Sequence, residues 1–262
     1  MRFLPPGPRY SPKKVALILL SSTTLLLLLF SSVYLPLRYV QSVHESSPRY
    51  QIKKVAVTQL GGEQLPLPIF AELLEVSSDC PQQYAHFDEE EAVKRLHERE
   101  IFRKLSVKKR RPDTLLIAYA LYQPAFILGD RKNTYVSEKG HLMPAFPYFS
   151  PKALPTLYLG AESLEKNLPF VEELATLLGE VKSIDISQLS AKSKARREVV
   201  VVVGKGRSNH CLRLSPLQIK EQIARYFLLA SHLTKEKEVD LTIDLRTVET
   251  AYVMTGDIYE TK

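Results

Sequence analysis

Residues 102–122 read FRKLSVKKRRPDTLLIAYALY. Leu105 and Val107 alternate with Ser106 and Lys108, the two-residue period of a strand, so Phe102–Lys108 is predicted as one. Thr114–Tyr122 is mostly apolar and β-prone and is predicted as a second. Arg111-Pro112-Asp113 between them is turn chemistry. Upstream, Ile52–Val57 reads as a short strand whose register is open, because Ile52 and Val55 break strict alternation. Pro68–Val76 places Ile69, Phe70, Leu73 and Leu74 at helical spacing, with Pro68 suited to a first turn. Asp88 is placed to cap a second helix, with Glu91 three residues on and Ala92, Val93 and Leu96 on one face. The order strand, helix, helix, strand, strand predicts a small sheet with both helices on one face. Its expected core is Val55, Leu73, Leu74, Leu96, Leu105, Val107, Leu115 and Ile117, with Leu115 the member most apt to face solvent.

After Pro124 the texture changes. Ala125–Leu128, Asn133–Val136 and Leu157–Leu159 are strand candidates, separated by Gly129-Asp130, Lys139-Gly140 and proline-rich segments. Ser163–Leu178 is predicted helical, with Leu164, Leu168, Val171, Leu174, Leu177 and Leu178 on its apolar face and Gly179 at its end. Ser183–Leu189, Glu198–Val203 and Cys211–Leu214 are further strands; the five valines 199–203 indicate burial. Pro216–Leu233 is predicted as a helix, and Val239–Leu245 and Thr250–Met254 as the last strands. The expectation is a mainly antiparallel sheet with helices packed on it.

Before all of this stands Val15–Leu37, an uncharged run of 23 residues. At ~1.5 Å per residue a helix of that length crosses a ~30 Å hydrocarbon core. Arg2, Arg9, Lys13 and Lys14 precede it with no acid, and Arg38 is the only charge immediately after it. The positive-inside bias then puts the N-terminus in the cytoplasm and residues from about 38 onward outside. A cleaved signal peptide is the rival reading, but its apolar region runs ~7–15 residues, and Val33-Tyr34-Leu35 is a poor cleavage site. A buried soluble helix is weaker still, because Leu25–Leu29 is apolar on every face. The fold class expected is thus α+β: one N-terminal transmembrane helix, then the small module, then the β domain. The boundaries are 1–14 for a proline-rich tail, 15–37 for the membrane helix, 38–48 for a linker, 49–124 and 125–256 for the domains and 257–262 for a C-terminal tail.

The formal charge of +7 divides against a nucleic-acid role: residues 1–37 carry +4, and the rest holds 32 bases against 29 acids. Lys108–Arg111 and Asp88–Glu91 read as solvated patches of opposite sign. Cys80 and Cys211 show no CxxC or metal spacing and are expected to be unpaired. None of the six histidines, His44, His86, His97, His141, His210 and His232, forms a close metal pair. His210 and Cys211 are neighbours, so on a strand they point to opposite faces and make a poor nucleophilic pair. Gly204-Lys205-Gly206 lacks the spacing of a phosphate loop and reads as a hairpin turn. GxSxG and SxxK do not occur. The expectation is a chain with no catalytic residue, no cofactor and no metal.

Several segments stand in a familiar order. They are Leu105-Ser106-Val107, Arg111-Pro112-Asp113-Thr114-Leu115, Pro124-Ala125, Val136 with Lys139-Gly140, and Ile243-Asp244-Leu245-Arg246 with Ala251-Tyr252-Val253. Behind a basic tail and a single anchor, this resembles the bacterial cell-division family FtsQ, also called DivIB, from the tail nearly to the last residue. The resemblance implies a POTRA domain at about 49–124 and a β domain at about 125–256. It implies a bitopic inner-membrane scaffold of the divisome at the septum, binding FtsB/FtsL-like proteins and so helping to recruit and regulate septal peptidoglycan synthesis. The chain departs from the family pattern at Glu100-Ile101, where many relatives have Pro-Trp, at Arg111, where many have Trp, and at Leu121, where an acid is common.

Two other classes compete with this scaffold. A membrane-anchored envelope enzyme would need a pocket holding titratable groups with shifted pKa values. A POTRA-bearing outer-membrane transporter fails, because the chain is too short for a barrel beyond the module. The scaffold reading places its contact on Arg246–Thr255, RTVETAYVMT, as a last strand at a sheet edge open to β-augmentation. Its expected contact residues are Arg246, Thr247, Glu249, Ala251, Tyr252, Val253 and Met254, with Arg246 facing a partner acid and Tyr252 serving as an aromatic anchor.

Overall fold

The computed structural model describes residues 12–76, 82–205, 208–233 and 239–255. Residues 1–11 of the expected tail 1–14, the expected tail 257–262, and Cys80 lie outside them, while residues 12–14 already belong to the first helix. The chain divides into two compact units, one of residues 1–57, 67–92 and 107–117, the other of residues 58–66, 93–106 and 118–262.

Helix α1 runs Pro12–Ser46, with Pro36 inside it. Among the described residues it is the one helix long and apolar enough to cross a membrane, over Leu20–Val43. Thr23, Thr24, Ser31 and Ser32 turn their hydroxyls back to carbonyls three or four residues earlier, which satisfies them inside an apolar helix. The stretch expected as a linker, 38–48, is helical as far as Ser46. No Gly or Pro interrupts the chain between Leu37 and Ser47, and Pro48 then ends the helix and opens a 3₁₀ turn, Pro48–Tyr50.

The first sheet contains β1 (Lys54–Gly61), β2 (Phe102–Arg110) and β3 (Thr114–Leu121) in the order β1–β3–β2. β2 and β3 are joined by the expected three-residue turn and are therefore antiparallel. The amides of Lys53 and Lys54 donate to Asp113 O at one end of β1, and Gly62 abuts Leu121 at the other, so β1 and β3 run the same way. Helices α2 (Leu67–Leu73) and α3 (Glu89–His97) stand where the apolar spacing put them. Asp88 caps α3 as expected, its Oδ1 accepting from Glu90 N at 2.8 Å and Glu91 N at 3.2 Å. Of the expected core, Leu74, Leu96, Val107, Leu115 and Ile117 are buried, while Val55, Leu73 and Leu105 are half-buried. Leu115, expected as the most exposed, is fully buried: it shares the inward face of β3 with Ile117 and Tyr119.

The second sheet, wholly within the larger unit, has nine strands: β4 (Pro124–Leu128), β5 (Thr134–Ser137), β6 (Leu142–Pro144), β7 (Thr156–Tyr158), β8 (Val181–Asp185), β9 (Val199–Lys205), β10 (Ser208–Leu214), β11 (Leu241–Asp244) and β12 (Tyr252–Thr255). Their order is β12–β11–β10–β9–β8–β7–β4–β5–β6. The sheet is more mixed than expected, since three of its eight neighbouring pairs are parallel: β4/β7, β7/β8 and β10/β11. The last two are crossovers through α4 (Leu164–Leu178) and α5 (Ile219–Leu233). β7, β8, β10 and β11 all point one way, and both crossovers step toward β12. One handedness therefore puts both helices on one face. The core bears this out: Leu168, Val171 and Leu174 of α4 and Ile223, Tyr226 and Ala230 of α5 share it with Val199, Val201, Val203, Leu212 and Ile243. The strand expected at Ser183–Leu189 ends at Asp185, whose carboxylate accepts from Ser187 N at 2.8 Å and turns the chain out of the ladder. β9 and β10 form the expected hairpin, Lys205 opposite Ser208.

Candidate functional site

β12 is one margin of the nine-stranded sheet. It pairs antiparallel with β11, setting Tyr252 opposite Asp244, Val253 opposite Ile243, Met254 opposite Thr242 and Thr255 opposite Leu241. Opposed residues share a face, so Val253 lies on the helix side with Ile243, and Tyr252 and Met254 lie on the other side. No strand among the described residues lies beyond β12, so alternate backbone N–H and C=O groups point outward. Every β12 side chain is exposed: Tyr252 by 59%, Met254 by 53% and Val253 by 39%. Sheet margins are commonly guarded by lysine, proline or a bulge. This one instead shows an aromatic, a valine and a thioether.

The expected strand Arg246–Thr255 is shorter than the sequence implied. Residues 246–251 are a connection, and the physical reason is Arg225 on α5. Its guanidinium donates to Leu245 O at 3.0 Å, Thr247 O at 2.8 Å and Val248 O at 2.6 Å. The Thr247 hydroxyl is engaged with Thr250 O. Carbonyls that a strand would give to a ladder are thus used locally. Thr247 and Glu249 project into solvent from this connection, and Ala251 packs against the core.

Arg246 does not project freely. It donates to Asp244 at 3.0 and 2.6 Å and to Glu198 Oε2 at 3.0 Å. Arg213 donates to the same Glu198 oxygen at 3.0 and 2.6 Å and stands 4.0 Å from Asp244. Two acids and two arginines thus form a neutral, half-buried lattice on the sheet face away from the helices. Burial by itself pushes the Asp244 carboxyl up, but the Arg246 hydrogen bonds and the charges of Arg246 and Arg213 carry it below its ordinary value. Of the expected contact residues, the structure brings Tyr252, Val253 and Met254 together on the margin, places Thr247, Glu249 and Ala251 in the connection beside it, and holds Arg246 inside the lattice.

Asp244 is within reach of a local signal, since an aspartate readily accepts from the amide two residues on, as it does here from Arg246 N at 3.1 Å. Glu198 and Arg225 carry no such signal, because each reaches the site only through the fold.

His210 and Cys211 point to opposite faces, as their spacing required. His210 Nδ1 lies 3.0 Å from the Tyr226 hydroxyl under α5, while the buried Cys211 thiol is pushed up in pKa by burial. Between α4 and α5 an open groove of about 360 Å³ is lined by Phe170, Leu174, Leu217 and Ile219, with a Lys220–Glu173 ion pair of 2.7 Å at its rim. Among the described residues no three His, Cys, Asp or Glu side chains are grouped to hold a metal ion. No family model matches this chain, and no curated protein matches it.

Proposed function

We propose that the chain is a bitopic, non-catalytic scaffold of the FtsQ/DivIB kind. In this reading it sits in the bacterial inner membrane at the division septum with its C-terminal part outside the cytoplasm. It binds FtsB/FtsL-like proteins and through them helps recruit and regulate septal peptidoglycan synthesis. The observation that carries the reading is β12: an unguarded four-residue margin whose side chains are all exposed. A partner segment adding as a further strand gains backbone hydrogen bonds for affinity and alternate side-chain contacts for selectivity. Tyr252 supplies the aromatic anchor, and the Arg225-braced connection fixes the strand's entry, which lowers the ordering cost of binding.

The test is titration of the full chain in nanodiscs with the extracytoplasmic segment of an FtsB-like protein. Tyr252→Ala with Met254→Ala is expected to weaken capture tenfold or more. Proline is also placed in turn at Tyr252 and at Val253. One of these amides faces β11 and the other faces outward, so proline at the outward position is expected to abolish capture with little change in melting. Unchanged affinity in folded variants would place the partner elsewhere.

A further inference from the structure

α1 ends at Ser46, and the chain is tied into the folded unit almost at once. Gln51 bridges Gln83, and the amides of Lys53 and Lys54 donate to Asp113 O at 2.9 and 3.2 Å. Six residues lie between Ser46 and Lys53, so even a fully extended path of seven steps covers only about 24 Å, and the 3₁₀ turn shortens it. The β2–β3 turn, bonded directly to Lys53 and Lys54, is therefore held near the end of α1. The apolar part of α1 stops at Val43, which sets that end at the depth of lipid headgroups if the helix spans a bilayer.

This end of the unit is basic. Arg49, Lys53, Lys54, Lys108, Arg110 and Arg111 are all exposed. Of the acids described near them, Asp113 is mostly buried and 4.0 Å from Lys54 Nζ, and Glu89 accepts from the Lys109 amide. The residues following position 37 are nearly balanced, 32 bases against 29 acids, so such an imbalance is local. It is also one-sided. Lys109 turns inward, its Nζ donating to Tyr84 O at 3.3 Å and Phe87 O at 2.9 Å, and its amide donates to Glu89 at 2.7 Å. Lys108 and Arg110, its neighbours on the strand, project from the opposite face.

We propose that this basic end binds the anionic headgroups of the bilayer that α1 crosses, seating the unit on the membrane surface. The proposal rests on the reading of α1 as an anchor. Arginine forks grip headgroup phosphates bidentately, lysines act as point charges, and clustered bases beside an anchor are attracted to anionic lipid in the leaflet they face. That attraction fades within a Debye length of ~8 Å at physiological salt, so the short spacer is what makes the contact available.

The experiment compares the full chain in nanodiscs of phosphatidylcholine alone and of phosphatidylcholine with about one third phosphatidylglycerol. Amide hydrogen exchange at Gln51–Thr58 and Lys108–Thr114 is expected to slow at least threefold in the anionic discs and to recover in high salt. The same slowing is expected to vanish in a Lys108→Gln, Arg110→Gln, Arg111→Gln variant whose melting in neutral discs shows it folded. Equal exchange in the two lipids, or slowing that survives in the folded variant, overturns the proposal while leaving the anchor intact. A chain that fails to enter either disc overturns the anchor reading and the proposal with it. The wild-type lipid comparison decides the matter even if the variant does not fold.

Discussion

Arg246 already has two carboxylate partners, so an incoming acid would have to exchange for Asp244 or Glu198. Its removal is best read as a stability experiment. Asp244 has a folded pKa below its ordinary 3.8, so its contribution is complete above that value and is lost as the pH falls through the lowered folded value. Arg246→Ala is expected to cost about 1–2 kcal/mol at neutral pH, leaving Asp244 only the more distant Arg213. The difference from wild type should shrink as the pH drops below 3.8, and denaturant melts across that range check it. At this scale the sequence showed which residue type lay near the margin but not what it touches. Asp244 is two positions from Arg246, whereas Glu198 is 48 positions away. Pairings of that kind are set by strand order, which local spacing does not encode.

Secondary-structure elements were more legible than their ends. The hairpin of β2 and β3, the Asp88 cap and α4 between Ser163 and Gly179 follow from alternation, capping and C-terminal glycine, all of which act within a few residues. β6 escaped notice because three residues, one of them proline, give no period to detect. β12 is shorter than its sequence suggests because the residues before it look β-prone, and only α5 supplies the arginine that bends them away. Burial within the hairpin gives a graded test. Leu115→Ala is expected to cost about 2–5 kcal/mol and half-buried Leu105→Ala clearly less, as chemical melts would show. Equal costs would mean that Leu105 on β2 packs as tightly as Leu115 on β3, against the burial pattern.

For the molecule as a whole, the apolar run announces a helix fit to cross a membrane, and the helix outlasts the run because the polar residues after it include nothing that breaks a helix. A reporter fused after Lys262 is expected to be active only outside the cytoplasm, and cytoplasmic activity or a mature N-terminus near residue 35 would reverse the orientation. The parallel strand pairs were not legible, because parallel pairing follows from crossover geometry rather than from any residue pattern. The two margins of the nine-stranded sheet differ in kind. β6 is three residues long and ends in Pro144, which has no amide to donate, whereas β12 presents its outward groups unguarded. A ladder with one blunt side and one receptive side accepts a single rung and then stops. Such a sheet does not seed open-ended fibres of its own kind through both margins, and among the described residues β12 is its one receptive margin for a captured segment. Light scattering of the complex is accordingly expected to show one partner segment per chain however much of it is added, and a second bound segment would mean that β6 or a margin of the three-stranded sheet also takes one.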